Sequence, residues 1–332
     1  MPTMKAAFAR PGAGIEHVAV RQAPVPSPGA GEALVRLKAA TLNFRDLLAV
    51  RGQLAGAKEP DYVPLSCAAG EVVAAGNGVT RVKPGDRVSP LFSQGWLSGP
   101  KPSMTMLGGP VDGVARNYGV FDAESLCLLP DEIGDLEAAT LPCAGLTAWN
   151  AVFGPRPIKP GEWVLVQGTG GVSLAALQWT KAAGARVVVT SSSDRKLNRA
   201  RSLGADITIN YRKHPDWAGA ARDALGGRGV EIVVDVAGAA EIENCARILA
   251  EGGIISSVGR LAGDHSWGKD VGKPVMPIVV GNREQHEAML RFCVEHRIRP
   301  VVDVVYDLDR LAEAMRLMES GGFFGKIGIN LL

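Results

Sequence analysis

Two rhythms of apolar positions divide the chain. Up to about residue 129, short apolar runs at 5–9, 33–39, 71–75 and 87–91 are broken by Gly and Pro, with a Lys83-Pro84-Gly85-Asp86 turn before the last. That spacing predicts strands in an irregular, barrel-like β domain. From about Gly161 the pattern alternates. Strand-like runs at 163–167, 186–190, 207–209, 231–235 and 253–258 are separated by helical periodicity at 172–183, 194–203, 216–225 and 239–250. This βαβα order predicts a parallel sheet covered on both faces. A run at 276–280, a helix around 284–296, a strand at 301–306 and a helix at 308–319 follow. The last run, 326–331, is apolar enough to pair back into the first domain. The expected class is α/β, with residues 1–145 and 297–332 in one domain and 146–296 in the other.

Composition narrows the function. A length of 332 residues suits two domains at ~150 residues each, and 46% hydrophobic content supplies a packed core rather than disorder. Lys plus Arg is 36 against 34 Asp plus Glu, and the aromatics are not set among basic clusters, which argues against a nucleic-acid partner. No run reaches the ~18 apolar residues of a membrane span, and residues 1–10 lack the apolar core of a signal peptide. The five cysteines are odd in number, scattered and without a C-x-x-C, as expected of reduced thiols in a cytoplasm. The stretch 93–117, rich in Gly, Pro, Ser and Met, reads as a loop or lid over a site.

The strongest motif is Val164-Leu165-Val166-Gln167-Gly168-Thr169-Gly170-Gly171-Val172-Ser173. A buried strand runs into a glycine turn and then a helix, the context in which Gly168 makes the turn and Gly170 lets backbone approach a pyrophosphate at the helix N-terminus. Ser173 stands at the third fingerprint position instead of Gly. An NAD site wants a carboxylate at the end of the second strand. This chain has Ser191, Ser192 and Ser193 there, with Arg195 and Lys196 beyond, a set that receives a 2′-phosphate. NADP(H) is therefore expected over NAD(H). Asp194 is the dissenting charge and reads as a helix N-cap; Tyr211 and Arg212, after the third strand, reach toward the same edge.

Further motifs are Thr41-Leu42-Asn43-Phe44-Arg45-Asp46, the segment 64–78, Lys83-Pro84-Gly85-Asp86-Arg87-Val88, Leu141-Pro142-Cys143-Ala144-Gly145-Leu146-Thr147-Ala148-Trp149 and Gly325-Lys326. Together with the Gly168 turn, they make almost the whole chain resemble the medium-chain dehydrogenase/reductase superfamily. The resemblance implies a GroES-like β-barrel catalytic domain and a Rossmann doubly wound parallel-sheet domain. It also implies a cofactor in the cleft between them and a homodimer formed through the Rossmann sheet edge. In the zinc alcohol dehydrogenases of that superfamily a Cys, a His and a second Cys hold the metal; the matching places here carry Asn43, Ser66 and Cys143. One soft ligand of three remains, so no zinc is expected. Cys67 stands where an acidic residue is expected, and with Cys143 it reads as a buried small hydrophobe in preference to a two-thiol site.

The resemblance then points to the zinc-independent branch, in which hydride passes to a quinone, an enone or a similar activated alkene or carbonyl. Enoyl-thioester reductases of the superfamily carry a Tyr proton donor where this chain has Leu54; Tyr62 and Tyr118 are the possible substitutes. The expected catalytic set is Asn43, Asp46, Ser66, Cys67 and Cys143. Asn43 would donate to a substrate oxygen or to the nicotinamide carboxamide. Asp46 either orients water or Arg45, or caps a helix. The expected cofactor set is Thr147, Gly168, Thr169, Gly170, Gly171, Val172, Ser191, Ser192, Ser193, Lys196, Tyr211, Ala237, Gly238, Val258, Gly259, Val280, Asn282 and Lys326. Val280 and Asn282 would close over the nicotinamide, and Lys326 would place a cation on the pyrophosphate. The histidines at 17, 214, 265, 286 and 296 read as turn or helix-surface residues, leaving water or a hydroxyl as the proton source. Specificity would lie in 93–117 and 263–277. The partner is a small-molecule substrate. The competing readings are an alcohol or aldehyde dehydrogenase of the same fold and a non-catalytic NADPH-binding protein.

Overall fold

The computed structural model of the chain describes residues 2–54, 61–100, 105–109, 111–259, 261 and 264–332. Residues 101–104 and 110 of the expected lid, and Gly263 of the second specificity segment, lie outside the described residues. The chain divides into two compact units, Met1–Leu146 with Gly281–Leu332, and Thr147–Val280.

The first unit is built on the ten-residue strand Glu32–Thr41. It pairs antiparallel with Cys67–Ala75, Tyr118–Asp122 and the C-terminal strand Lys326–Asn330. Arg87–Pro90 and Leu126–Leu128 extend the sheet on one side and Val302–Asp307 on the other. Alternation along the central strand sends Ala33, Val35 and Leu37 into a core that also holds Leu47, Val72, Met315 and Ile327. The C-terminal run thus enters the first unit beside the strand that most of the barrel pairs with. The register places Thr41 opposite both Cys67 and Gly328. Three chain segments distant in sequence therefore meet at one end of the sheet.

Residues 281–296, expected in the second domain, belong to the first unit. The reason is local: the helix Arg283–Glu295 begins with Arg283 and Glu284 amides on the Trp96 and Leu97 carbonyls, and Glu287 pairs with Arg81.

The second unit is a six-stranded, all-parallel sheet. Its spatial order is Ile207–Asn210, Arg186–Ser191, Trp163–Gln167, Val230–Asp235, Leu249–Ser257, Val275–Pro277. Chain order reverses beside Trp163–Gln167, the topological switch point where open α/β sheets bind ligands. Trp163–Gln167 is buried along its whole length, as expected of a strand covered on both faces. One boundary differs from expectation: helix Ile242–Ile248 stops early and Leu249 already begins a strand. Apolar residues run unbroken through Ile248 and Leu249, so pattern alone does not mark the change. Among the described residues, no helix is long and apolar enough to cross a membrane.

Candidate active site

The sheet end described above gathers a polar cluster inside the first unit. Asn43 precedes the helix Phe44–Val50, and its side chain does not cap that helix. Capping falls instead to Asp46, whose Oδ2 accepts the Asn43 backbone N–H at 2.7 Å. Asp46 thus caps the helix, and it also lies 3.8 Å from the Arg45 guanidinium, so both contacts expected of it within the chain are present. Arg45 stacks over Phe92 and donates to the Leu107 and Gly109 carbonyls, tying the loop to this helix. Burial pushes the Asp46 carboxyl above its ordinary range, against the pull of Arg45, the Asn43 N–H and Lys326.

Freed from capping, the Asn43 amide is the hub of the cluster. Its Nδ2 donates to Ser66 Oγ at 3.2 Å and to Cys67 Sγ at 3.1 Å. Its Oδ1 accepts from Lys326 Nζ at 2.5 Å, and the same ammonium donates to the Leu42 carbonyl. Both amide hydrogens are therefore engaged, so in this arrangement Asn43 orients its neighbours rather than offering a donor to a substrate oxygen. Lys326, only 5% exposed, sits in this cluster and not free at the end of a phosphate-seeking side chain. Burial lowers its proton affinity, opposed by Cys67, Cys143 and Asp46.

Cys67 is more than a small hydrophobe. Burial alone would raise its thiol, but the hydrogen bond from Cys143, the Lys326 charge and the Asn43 amide outweigh it and bring the thiol down to about 7. Cys143 shows the converse: its hydrogen bond to Cys67, then burial, hold it well above the ordinary thiol range. It lies on a π-helical turn, Leu141–Gly145, that feeds the helix Leu146–Phe153 on which Thr147 is buried. Such turns recur at functional sites. Ser66 and Cys67 follow Leu65, a buried residue held in the left-handed region at φ 67°. The Leu65 carbonyl is clamped by the Val114 amide, and a Cβ on Gly113 would fall 1.9 Å from that oxygen. The strain fixes the direction in which Ser66 and Cys67 point.

Tyr62 is buried with no partner for its hydroxyl, and burial followed by the Asp46 charge raises that phenol above its ordinary range. Tyr118 lies partly buried at the start of its strand. His286 departs from expectation: it is fully buried with neither ring nitrogen bonded, on the helix Arg283–Glu295 whose other buried residues are Met289, Leu290 and Cys293.

In the second unit the glycine turn fits a dinucleotide phosphate. Gly168 has φ 73°, and the space a Cβ would fill at Gly168 and at Gly170 is open. Gly171 starts a twelve-residue helix whose N-terminus has no side-chain cap, with Thr169 and Val172 on either side. Ser173 replaces the third glycine without loss of closeness, since its hydroxyl donates to the Gln167 carbonyl at 2.6 Å. At the second strand end, Ser193 and not Asp194 caps the helix Asp194–Ser202, accepting the Lys196 N–H. Ser191 Oγ accepts the Ser193 N–H, and the Tyr211 N–H reaches the Ser191 carbonyl. The Asp194 carboxylate is held instead by Asn210 at 2.7 Å and Lys213 at 2.8 Å.

At the remaining strand ends the sequence missed an organiser. Gln167 accepts the Val236 and Ala237 amides and donates to Cys245. Buried Asp235 takes the Gly238 N–H and the Ser266 hydroxyl. A polar residue closing each of two apolar strands is the signal that would have found them. Gly259 is required by its own chain: a Cβ there would lie 2.2 Å from the Val236 carbonyl, while Val258 and Gly259 amides bond to Asp235. The Val280 carbonyl accepts from Asn150. Asn282, in the first unit, caps the helix Arg283–Glu295 through its oxygen and donates to the Gly99 carbonyl, so both of its groups are engaged.

A phosphate-binding turn at the switch point of a parallel sheet, on a chain that also carries a GroES-like barrel, defines a nicotinamide-dependent oxidoreductase class. Comparison with known proteins agrees. Residues 29–131 match the alcohol dehydrogenase GroES-like domain and 171–305 the zinc-binding dehydrogenase family. The chain is 38% identical over 321 residues to a zinc-type alcohol dehydrogenase-like protein of Schizosaccharomyces pombe, covering 91% of each. It is 30% identical to a chloroplast envelope quinone oxidoreductase homolog of Arabidopsis thaliana, covering 95% of this chain and 93% of that one. It superposes on the crystal structure of a Sinorhizobium meliloti 1021 protein assigned as an alcohol dehydrogenase with a TM-score of 0.92 and 36% identity, over 99% of both chains. The chain belongs to the medium-chain dehydrogenase/reductase superfamily and is an NAD(P)H-dependent oxidoreductase.

The donor set does not fit a zinc ion. Asn43 offers a neutral amide oxygen already bonded to an ammonium, and Ser66 offers a hydroxyl bonded to that amide. Two thiols remain, short of the three protein ligands of a catalytic zinc, and no group of three His, Cys, Asp or Glu among the described residues could hold a metal.

Proposed function

We propose that the chain is an NADPH-dependent, zinc-independent reductase of enones, quinones or similar activated alkenes and carbonyls. One observation carries the reading. At the positions that match the zinc ligands, the chain supplies a cation of its own, the Lys326 ammonium on Asn43 Oδ1, beside Ser66 and Cys67. A bound nicotinamide supplies the hydride. The chain's own residues bind the cofactor's phosphates at Gly168–Gly171, hold the 2′-phosphate at Ser191–Ser193 and Lys196, and present fixed donors to the oxygen that gains charge. Preference for the 2′-phosphate is supported by the serine run and by the pairing of Asp194 with Lys213, which cancels the one nearby carboxylate.

The second reading, an alcohol or aldehyde dehydrogenase, is favoured by the names of the relatives. Metal analysis of the purified protein, with kcat/KM for NADPH and NADH across enones, quinones, aldehydes and alcohols, separates the two. The expected result is less than stoichiometric zinc, activity indifferent to chelator, and a preference for NADPH of at least about 10-fold, the worth of one to two charged hydrogen bonds. Stoichiometric zinc with chelator-sensitive alcohol oxidation overturns the proposal in favour of the second reading.

A further inference from the structure

A reductase of this kind must give a proton to the oxygen, or to the carbon beside it, after hydride has added. The cluster's donors can be counted. Asn43 has both amide hydrogens engaged, and the Ser66 hydroxyl lies 3.9 Å from Cys67 Sγ, within hydrogen-bond reach of that sulfur. The Cys143 thiol is held by Cys67, and burial makes Tyr62 a poor acid. Lys326 has three N–H bonds; two go to the Leu42 carbonyl and Asn43 Oδ1, and the third has no acceptor among the described residues. An ammonium buried with an idle N–H is costly unless something fills the place.

We propose that the third N–H of Lys326 is the donor that meets the substrate's carbonyl oxygen, first as the cation that holds the enolate and then as the acid that protonates it. The inference rests on the reductase reading above. In the step, hydride bonds to the β-carbon and the C=C electrons move onto the carbonyl oxygen. The Nζ–H bond then breaks toward that oxygen, leaving a neutral amine and an enol that tautomerises in solution. Water returns the proton to Nζ. The substrate is reduced by two electrons and the nicotinamide is oxidised by two. The groups facing Lys326 are Cys67 on its strand, Cys143 on the π-helical turn, and Asp46, itself beside Arg45. Burial favours release of the proton, while these three anionic or potentially anionic groups resist it.

The probe is para-nitrophenol, whose visible absorbance reports its protonation, titrated into the protein with NADP+ present. Wild type is expected to bind it as the anion at a pH where it is neutral in solution. Lys326→Met should weaken binding of the anion by about 10- to 100-fold, the range of a charged hydrogen bond. Lys326→Arg keeps a cation that cannot release its proton near neutrality; it should hold the anion but lose at least about 100-fold in kcat with an enone. Tyr62→Phe should change neither measurement. The proposal is overturned if wild type does not prefer the anion, a result that needs no variant, or if Lys326→Met binds it as tightly as wild type. Should the anion bind through Lys326 while no enone or quinone is reduced, the reductase reading fails and the oxyanion role of Lys326 stands.

Discussion

Lys326 and Asn43 are joined by a 2.5 Å hydrogen bond in which the ammonium donates to the side-chain oxygen of a residue that would otherwise cap its own helix. Removing the acceptor strands a buried cation. Asn43→Ala is expected to cost about 1–3 kcal/mol of stability and, through misplacement of Lys326 and Ser66, about 100-fold in kcat. NADPH affinity should hold. Asn43→Asp, which retains an acceptor for the ammonium, should recover more stability than Ala; thermal melts with and without NADPH, beside steady-state kinetics, check both.

Gly113 is fixed by the Leu65 carbonyl, 1.9 Å from where its Cβ would stand. Gly113→Ala must push that backbone, at about 1–3 kcal/mol for an overpacked position. Because Ser66 and Cys67 follow Leu65 directly, activity should fall by more than the loss of folded protein explains. Calorimetry with active-site titration would show it, and an unchanged kcat per folded molecule would contradict it.

The Cys67 thiol, first raised by burial but brought to about 7 by Cys143, Lys326 and Asn43, makes a spectroscopic prediction. A thiolate absorbance should grow in as pH passes through about 7. Cys143→Ala removes the largest stabilising contact of that thiolate, so the midpoint should move up. An unmoved midpoint would mean that the absorbance belongs to another group.

His286 gives a pH dependence of stability. Burial holds its imidazole neutral and lowers its proton affinity from 6.5 to about 4. The unfolded chain therefore binds a proton that the folded chain refuses, so its stabilising contribution is full above about 6.5 and is lost as pH falls toward 4. The shift is worth about 3 kcal/mol. Denaturant titrations between those limits should show the slope, and His286→Phe should flatten it.

The sequence and the structure agree best where one physical signal dominates. Trp163–Gln167 and Arg186–Ser191 are continuous apolar runs closed by Gly168 and Ser191, and their bounds were legible within a residue, whereas the strand Leu249–Ser257 starts four residues before the expected 253. Ser193 and Asp194 are both good caps, so pattern alone chose the wrong one of two neighbours. Leu65 gives no warning of a left-handed conformation, because its side chain does not favour one. The placement of Lys326 depended on a strand pairing between residues 328–330 and 39–41. The pairing itself was anticipated from apolar character, but the register that points Lys326 at Asn43 is a property of the folded sheet.

That pairing has a consequence for the order in which the protein matures. The second unit is one continuous stretch, Thr147–Val280, able to close as soon as it leaves the ribosome. The first unit, begun earlier, must wait with the central strand's edge open until Lys326–Asn330, made after the whole second unit, arrives. Contacts of such long sequence separation form slowly. Of the two units, the one begun first is therefore the one completed second, and during that interval the exposed edge of Glu32–Thr41 is where a chaperone has most to protect.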